Sequence, residues 1–314
     1  MTKHSILFIV LLAAVLGACA PAPAQTTTLR IGVLPILEAL PMYVAESQGY
    51  FAEEGLQVEF VPAASAAERD QLMQAGQIDG MINDLVAVLL YNRDQLQIVV
   101  VRFARTASAE DPNYRILASA QSGITSVDGL RGVPIGVSEG TVIEYVTHRL
   151  LEAEGLQPEE VEIVAVPKIP DRLALLESGE LQAATLPDPL SSLALQAGAK
   201  LIIDDTAHPE FGTSVLSFRK EIIDQNPDAL RGFLRALEKA TAEVNADPDQ
   251  WSTLLTEKSL VPAPLIGAYQ LPRFPSASIP SEAQYADALD WAVSRGLLTG
   301  SAAYADAVDD SFLP

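Results

Sequence analysis

Short apolar runs alternate with amphipathic stretches along the first third of the chain. The spacing predicts a strand, a helix, a strand, a helix and a strand, at residues 29–35, 43–55, 57–61, 72–75 and 78–84. Pro35 ends the first strand and Gly76 ends the second helix. This part of the chain therefore has a βαβαβ pattern.

The same pattern recurs about a hundred residues further along the chain. Strand-like and helical runs follow in the same order at residues 133–137, 145–154, 161–166, 172–178 and 181–188. Both copies carry the sequence Glu-Gly-Leu-Gln before a strand, and both end in a short apolar strand that carries an Asp. The chain therefore contains two similar halves.

Alternating strands and helices favour a mostly parallel sheet covered by helices, and two such units favour an α/β fold with two lobes. Two further strand-like segments, 114–119 and 213–218, bracket the second copy. We predict that they pair as crossover strands and form a hinge. The first lobe then comprises residues 29–116 and 215–314, and the second lobe, residues 117–214, is inserted into it.

Apolar residues in the last third of the chain follow helical spacing. The clearest case is residues 227–244, where apolar side chains recur at positions i, i+3 and i+4. Further helices are predicted at residues 249–257 and 282–295. We expect these helices to pack on the first lobe.

The first residues differ in character from the rest of the chain. Lys3 precedes an apolar run, residues 6–16, that is too short to cross a bilayer and leads into small residues, as in a signal peptide. The end of this run reads Leu-Gly-Ala-Cys, which resembles the lipobox of bacterial lipoproteins. We expect a signal peptide at 1–18, lipidation of Cys19, and a flexible Pro-rich tether over residues 19–28.

Composition restricts the partners of the protein. The sequence has 20 Lys and Arg against 41 Asp and Glu, a formal net charge of −21, so nucleic acid is a poor partner. Such a charge could attract a cationic solute, or it could keep an extracytoplasmic surface soluble by self-repulsion. Cys19 is the only cysteine in the sequence, so no disulfide can form within a monomer.

Residues 45–59 read Ala-Glu-Ser-Gln-Gly-Tyr-Phe-Ala-Glu-Glu-Gly-Leu-Gln-Val-Glu. This segment resembles a hallmark of the periplasmic binding proteins that serve importers of sulfonates, taurine, nitrate and thiamine precursors. The resemblance continues at residues 76–79, 130–136 and 226–230. It implies a type II periplasmic binding protein fold, in which two lobes close on a small molecule.

The resemblance also implies a function and a set of partners. The expected function is that of the extracytoplasmic solute-binding component of an ABC importer. The solute would be small and polar or heteroaromatic, of the thiamine-precursor, riboflavin-like, sulfonate or nitrate class. The expected partners are this solute, an ABC permease and the membrane that holds the N-terminal lipid; we expect a monomer that uses no cofactor and no metal.

In open α/β sheets a ligand lies beyond the carboxyl ends of the strands, which selects candidate ligand-binding residues from both lobes. The candidates from the first lobe are Pro35, Leu37, Glu38, Tyr43, Asn83 and Asp84. The candidates from the second lobe are Ser138, Glu139, Gly140, Thr141, Tyr145, Pro187 and Asp188.

Four of these candidates are carboxylates: Glu38, Asp84, Glu139 and Asp188. An acidic cleft disfavours a bare oxyanion, and it favours a cationic or multiply hydrogen-bonding solute because unpaired buried carboxylates are costly. For each carboxylate taken alone, an ordinary solvated loop residue is the favoured interpretation.

Other residues near the predicted cleft have two interpretations each. Residues 138–141 start a helix, so their N–H groups could hold an anionic group of the solute, or their side chains could simply cap the helix. Tyr43 and Tyr145 could stack on a ring or belong to the core. Arg102 and Arg105 could clamp an anionic group or form ion pairs.

Residue types suited to catalysis are scarce. Beyond the predicted signal peptide the only histidines are His148 and His208, and Cys19 is expected to carry lipid. The resemblance allows alternatives, since proteins with this fold include a pyrimidine synthase and a dehydratase, and a ligand-sensing receptor module is also conceivable. The lipobox favours a tethered receptor over a cytoplasmic enzyme.

Overall fold

The computed structural model describes residues 26–314, so Cys19 and the predicted signal peptide lie outside the described residues. The described part contains ten strands in two five-stranded sheets. The strands are β1 Thr27–Val33, β2 Leu56–Pro62, β3 Gly80–Asn83, β4 Ile98–Thr106, β5 Tyr114–Ala118, β6 Pro134–Val137, β7 Glu162–Ala165, β8 Ala183–Pro187, β9 Lys200–Asp204 and β10 Thr213–Arg219.

Helices connect and cover these strands. The α-helices are α1 Leu40–Ser47, α2 Tyr50–Glu53, α3 Ala66–Gln74, α4 Leu85–Tyr91, α5 Val142–Ala153, α6 Ile169–Ser178, α7 Leu190–Gln196, α8 Lys220–Gln225, α9 Pro227–Ala246, α10 Ser252–Glu257, α11 Glu282–Ser294 and α12 Tyr304–Ala307. Short 3-10 turns lie at Leu37–Ala39, Val127–Leu130, Pro158–Glu160, Pro248–Trp251 and Ala263–Leu265.

The two sheets have the same internal arrangement. The first has the order β2-β1-β3-β10-β4 and the second the order β7-β6-β8-β5-β9. In each sheet the first three strands are parallel, and the fourth is antiparallel to both of its neighbours. The repeated sequence pattern thus corresponds to two lobes, one on each sheet.

The predicted pairing of the crossover segments is wrong. β5 and β10 are both strands, but β5 lies in the second sheet and β10 in the first. Each satisfies its backbone hydrogen bonds with two neighbours in its own sheet, so neither has an edge free for the other. The chain passes between the sheets at residues 107–113 and 205–212 instead.

These two connections are bound to each other by a buried carboxylate. Asp205 accepts the backbone N–H groups of Asn113 at 2.8 Å and Tyr114 at 3.1 Å. Nδ2 of Asn113 donates to the carbonyl of Gly212 at 3.0 Å. Burial raises the pKa of Asp205 to about 7. The interlobe connection is therefore a defined hydrogen-bonded structure.

Equivalent glycines follow the helix that precedes the second strand of each repeat. Gly55 has φ +72° and Gly155 has φ +83°, a left-handed conformation that glycine adopts without steric cost. The leucine that follows each glycine is buried, Leu56 at 5% exposure and Leu156 at 1%. The repeated Glu-Gly-Leu-Gln therefore combines a chain reversal with an anchor in the core.

The C-terminal helices pack in two different ways. α9 covers the first sheet, where Phe233 stacks on Phe51 with ring centroids 5.0 Å apart. α11 instead contacts both lobes, because Nε1 of Trp291 donates to Nδ1 of His148 in α5 at 3.1 Å. α11 packs on α4 of the first lobe, as expected, and also on α5 of the second, which was not expected. Within residues 26–314 no helix is long and apolar enough to span a bilayer.

Candidate ligand-binding cleft

A cavity of about 490 Å³ lies between the lobes and is lined by residues of both. It is bordered by the segments that follow β1, β2 and β3 in the first lobe and β6, β7 and β8 in the second. Parallel strands direct their carboxyl ends to one edge of a sheet, and here these edges face each other across the gap. The residues 259–263, after α10, complete the wall.

The lining of this cavity is mainly aliphatic. It includes six prolines, which have no N–H group and hold the backbone in a fixed conformation. Tyr114 is the one aromatic residue among the lining residues described. The cavity therefore suits an apolar body better than a stacked ring.

Eight of the thirteen predicted ligand-binding residues border this cavity. They are Pro35, Glu38, Asn83, Asp84, Ser138, Thr141, Pro187 and Asp188. Their contact with a solute remains a prediction, but the strand-end rule does bring them to one place.

The predicted aromatic residues lie elsewhere. Tyr43 packs edge-on against Phe60, with ring centroids 4.8 Å apart, and Lys258 lies over its other face. Tyr145 donates to Asp287 at 2.7 Å and packs against α11. Both occupy helix faces directed away from the cleft, so their predicted role in stacking on a solute is corrected to a role in packing.

Three further candidates do not border the cavity. Leu37 is fully buried in the core of the first lobe. Glu139 is exposed, and the N–H of Gly140 donates to Oε2 of Glu144 at 2.7 Å. Oγ1 of Thr141 accepts the N–H of Ile143 at 3.2 Å, so the start of α5 is capped by side chains of its own first turns.

Two of the four predicted carboxylates are engaged in the protein's own structure. Asp84 caps α4 by accepting the N–H of Ala87 at 2.9 Å, and burial raises its pKa. Burial would also raise the pKa of Asp188, but the charges of Arg105 and Arg115 hold it below its ordinary value. The expectation of an acidic cleft is therefore wrong for these two residues.

Glu38 differs from the other carboxylates of the cleft. Its Oε1 accepts a hydrogen bond from Ser214 at 3.1 Å. Its Oε2 is buried and has no hydrogen-bond partner in the part of the chain that the structure describes. Glu38 thus presents an acceptor that the protein itself leaves unused.

Two buried arginines of the cleft were not among the predicted residues. Nη1 of Arg69 in α3 donates to the carbonyl of Ile82 at 3.1 Å, and its Nη2 lies 2.8 Å from Asp70. Nε of Arg172 in α6 donates to the carbonyl of Thr185 at 2.8 Å. The two arginines occupy the same position in the two repeats, which is the sequence signal that could have identified them.

Arg172 has no carboxylate within ion-pair distance among residues 26–314. Its side chain is 0% exposed, Nη1 donates to the carbonyl of Val166 at 2.7 Å, and Nη2 has no partner among the residues that the structure describes. Burial lowers the pKa of Arg172 to about 10, so the guanidinium stays charged at neutral pH. The second lobe therefore carries an uncompensated cation in the cavity wall.

The arginines considered at the end of β4 form ion pairs. Arg102 is buried and its Nη2 lies 2.8 Å from Glu238. Nη2 of Arg105 lies 3.7 Å from Asp188, and its Nη1 donates to the backbone carbonyl of the same residue at 3.3 Å. Tyr269 also donates to Asp188. Asp188 of the second lobe is thus bound by two side chains of the first.

Residues 136–140 read Gly-Val-Ser-Glu-Gly, which matches the nucleophile motif Gly-x-Ser-x-Gly at a strand-to-helix turn. A serine nucleophile needs an adjacent base. Of the two described histidines, His148 accepts a hydrogen bond from Trp291, and His208 lies 3.5 Å from Glu210. No described base is hydrogen-bonded to Ser138. The match to the motif is therefore not accompanied by the base that a serine nucleophile needs.

Comparisons with known proteins agree with this architecture. A family profile described as "NMT1/THI5 like" matches residues 37–251. The chain is 27% identical over 223 residues to the 4-amino-5-hydroxymethyl-2-methylpyrimidine phosphate synthase THI11 of Saccharomyces cerevisiae, an alignment that covers 67% of this chain and 64% of that protein. It is 23% identical to a putative aliphatic sulfonates-binding protein of Bacillus subtilis, over 74% of this chain and 70% of that one.

Solved structures show the same fold. The periplasmic aliphatic sulphonate binding protein SsuA of Escherichia coli superposes with a TM-score of 0.76 at 20% identity, covering 92% of both chains. The alkanesulfonate-binding protein SsuA of Xanthomonas axonopodis pv. citri, bound to MOPS, superposes with a TM-score of 0.75 at 18% identity, covering 92% of this chain and 99% of that one. The predicted two-lobed α/β fold is confirmed.

Proposed function

The chain belongs to the NMT1/THI5-like family, and from this premise we propose that it is the extracytoplasmic solute-binding component of an ABC importer. The relatives and solved structures named as binding proteins support the proposal. The observation that carries it is the cavity whose walls come from both lobes. A molecule held there touches both lobes and stabilises the closed form that a permease recognises.

The proposed closure uses contacts already formed between the lobes. Asp188 of the second lobe is bound by Arg105 and Tyr269 of the first, and these contacts favour the closed form. A solute adds contacts that exist only in the closed arrangement, so its binding free energy shifts the equilibrium toward closure.

The test begins with the solute itself. Protein expressed in its native host compartment would be denatured, and the released small molecules identified by mass spectrometry. Adding the identified solute to emptied protein should reduce the radius of gyration in X-ray scattering and raise the melting temperature. A saturating solute that left the radius of gyration unchanged would contradict the proposed closure.

We further propose that Cys19 is lipidated and holds a monomeric protein at the cell membrane, facing the periplasm or cell exterior. The support is the Leu-Gly-Ala-Cys sequence after the apolar run. Labelled palmitate should be incorporated into the wild-type chain in cells and not into Cys19→Ser. Equal labelling of the two chains would contradict lipidation, and light scattering would test the monomer.

An enzymatic function is the second candidate because a pyrimidine phosphate synthase is among the relatives. The two candidates differ in what happens to the bound molecule. A binding protein returns its solute unchanged, whereas an enzyme converts it. Prolonged incubation of the identified solute with the protein, followed by mass analysis of the released molecule, separates them: a new mass would favour the enzyme.

A further inference from the structure

The two walls of the cavity leave different polar atoms without partners. In the first lobe, Oε2 of Glu38 accepts no hydrogen bond and Nδ2 of Asn83 donates none within residues 26–314. In the second lobe, Nη2 of Arg172 donates no hydrogen bond within the described part of the chain. All three residues border the cavity, and each side chain is more than nine-tenths buried. Unpaired buried polar atoms cost free energy, so a solute that pairs with them gains affinity.

The charges of the two walls are also different. Arg172 is a cation with no carboxylate partner in the described chain, so the second wall attracts an anion. The equivalent Arg69 of the first lobe is neutralised by Asp70 at 2.8 Å and adds no net charge. The first wall instead offers the free oxygen of Glu38, which requires an N–H or O–H donor.

Nearby groups do not satisfy these atoms. Arg105 lies close enough to Glu38 for the carboxylate to raise its pKa against the opposite effect of burial. Its amino groups, however, donate to the backbone carbonyls of Asp188 and Pro112. Nε and Nη1 of Arg172 donate to backbone carbonyls, whereas its Nη2 finds no acceptor in residues 26–314.

The surface between the two polar sites, Arg172 and Glu38, is apolar. Ile36 and Ile82 contribute from the first lobe, and Val142, Ile169 and Leu190 from the second. These side chains offer no hydrogen bonds. A solute that lies between the two polar sites therefore binds more tightly by burying its carbon atoms there.

We propose that the solute is an aliphatic bipolar molecule, with an anionic group held by Arg172 and an N–H donor group held by Glu38. The inference rests on the proposed function and specifies the chemistry of the same site. The two polar contacts lie on different lobes, so a solute with both groups bridges the cleft. A solute with one group contacts only one polar site.

Three compounds of equal chain length test this inference on the wild-type protein. 6-Aminohexanoate carries both groups, hexanoate only the anion and hexylamine only the N–H donor. Calorimetric titration should show 6-aminohexanoate binding at least tenfold more tightly than either of the others. Binding of hexanoate with equal affinity would overturn the inference but leave solute capture, and hence the proposed function, intact.

Variants test which residue binds each polar group of the solute. Arg172→Met should reduce the affinity for 6-aminohexanoate to that for hexylamine, while Arg172→Lys, which keeps the charge, should stay within about threefold of wild type. Glu38→Gln should reduce it to the affinity for hexanoate. If both variants lost affinity for all three compounds to the same extent, the assignment would be overturned. Melting temperatures identify a variant that fails to fold.

Failure of the inference is distinguishable from failure of the proposed function. If none of the three compounds binds to the wild-type protein, the bipolar aliphatic solute is ruled out. The co-purified solute and its effect on the radius of gyration then decide the function separately. A co-purified solute that lacks either group would also overturn the inference.

Discussion

The two lobes share a scaffold but differ in the charge they place at equivalent positions. Arg69 and Arg172 each donate to a carbonyl of the third strand of their repeat. Arg69 is followed by Asp70, which pairs with it, whereas Arg172 is followed by Leu173. The arginine therefore supports the fold in both lobes, and a single neighbouring residue determines whether its charge is available to a solute.

The strand-end carboxylates show a second difference of this kind. Asp84 follows β3 and caps the next helix of its own lobe. Asp188 follows β8 and is bound across the cleft by Arg105 and Tyr269. One carboxylate thus stabilises a lobe, and the other links the lobes. The aspartate that follows the third strand therefore stabilises its own lobe in the first repeat and connects the two lobes in the second.

The two lobes are joined by the connections that Asp205 binds together. Because Asp205 is buried, the stability of these connections depends on pH. Its pKa is raised from 3.8 to about 7, so the folded protein keeps a proton that the unfolded chain releases between these values. Stability is fully present below about pH 4 and is lost as the pH rises through 7, by up to about 4 kcal/mol.

Urea unfolding at pH 4.5, 6 and 7.5 measures this contribution of Asp205. Asp205→Asn has no proton to lose, so it should flatten the decline in the free energy of unfolding. Asp204→Asn, at a neighbouring half-buried residue, should keep the wild-type slope. An unchanged slope in Asp205→Asn would assign the pH dependence to other groups.

The same connection has no space for a side chain at Gly212. A Cβ atom there would lie 1.8 Å from Oδ2 of Asp205 and 2.9 Å from its Cγ. Gly212→Ala must displace the carboxylate from the N–H groups it accepts, which should lower the free energy of unfolding by about 3 kcal/mol. Gly300→Ala is the control because nothing lies within 4 Å of its Cβ position. Equal urea midpoints for the two variants would refute the steric explanation.

A cross-strand pair sharpens the comparison of the lobes. Gly80 lies opposite Phe218 in the first sheet, and the equivalent pair in the second sheet is Ala183 opposite Ala118. A Cβ at Gly80 would lie 2.6 Å from the buried ring of Phe218. Gly80→Ala should therefore cost about 2 kcal/mol by overpacking. The matched change Ala183→Gly should cost only about 1 kcal/mol, through backbone entropy.

Chemical denaturation of both variants measures the difference between the pairs. A larger loss of stability in Ala183→Gly than in Gly80→Ala would contradict the overpacking explanation at Gly80. The strand register is the same in both sheets, since Gly80 pairs with Ile31 and Ala183 with Ile135. The contrast between the two variants therefore isolates the side chains across the strand.

The fold was predictable from sequence because each repeat has its own periodicity and turn residues. The strand order was not, since β5 and β10 have similar apolar patterns and nothing local indicates which sheet each one joins. Pairing depends on contacts between residues distant in sequence, such as Val215 with Asn83.

The candidate site was predictable where it follows strand ends, and less so where it depends on helix orientation. Tyr43 lies ten residues beyond the end of β1 and Tyr145 eight beyond the end of β6, and the turn of each helix directs them away from the cleft. Arg69 and Arg172 lie in helices that precede the third strand, so a rule based on strand ends does not select them.

The smallest expected effect concerns the link between the lobes through Tyr269, whose hydroxyl donates to Asp188. Tyr269→Phe removes this bond and leaves Asp188 with its arginines, so it should cost about 1 kcal/mol. Tyr304→Phe is a matched control, because Tyr304 donates to the carbonyl of Pro280 at 2.8 Å away from the cleft. Both variants should lower the melting temperature to a similar extent. Only Tyr269→Phe should increase the radius of gyration of the solute-free protein and weaken solute binding by roughly fivefold. An unchanged radius of gyration would mean that the lobes are held together without this bond.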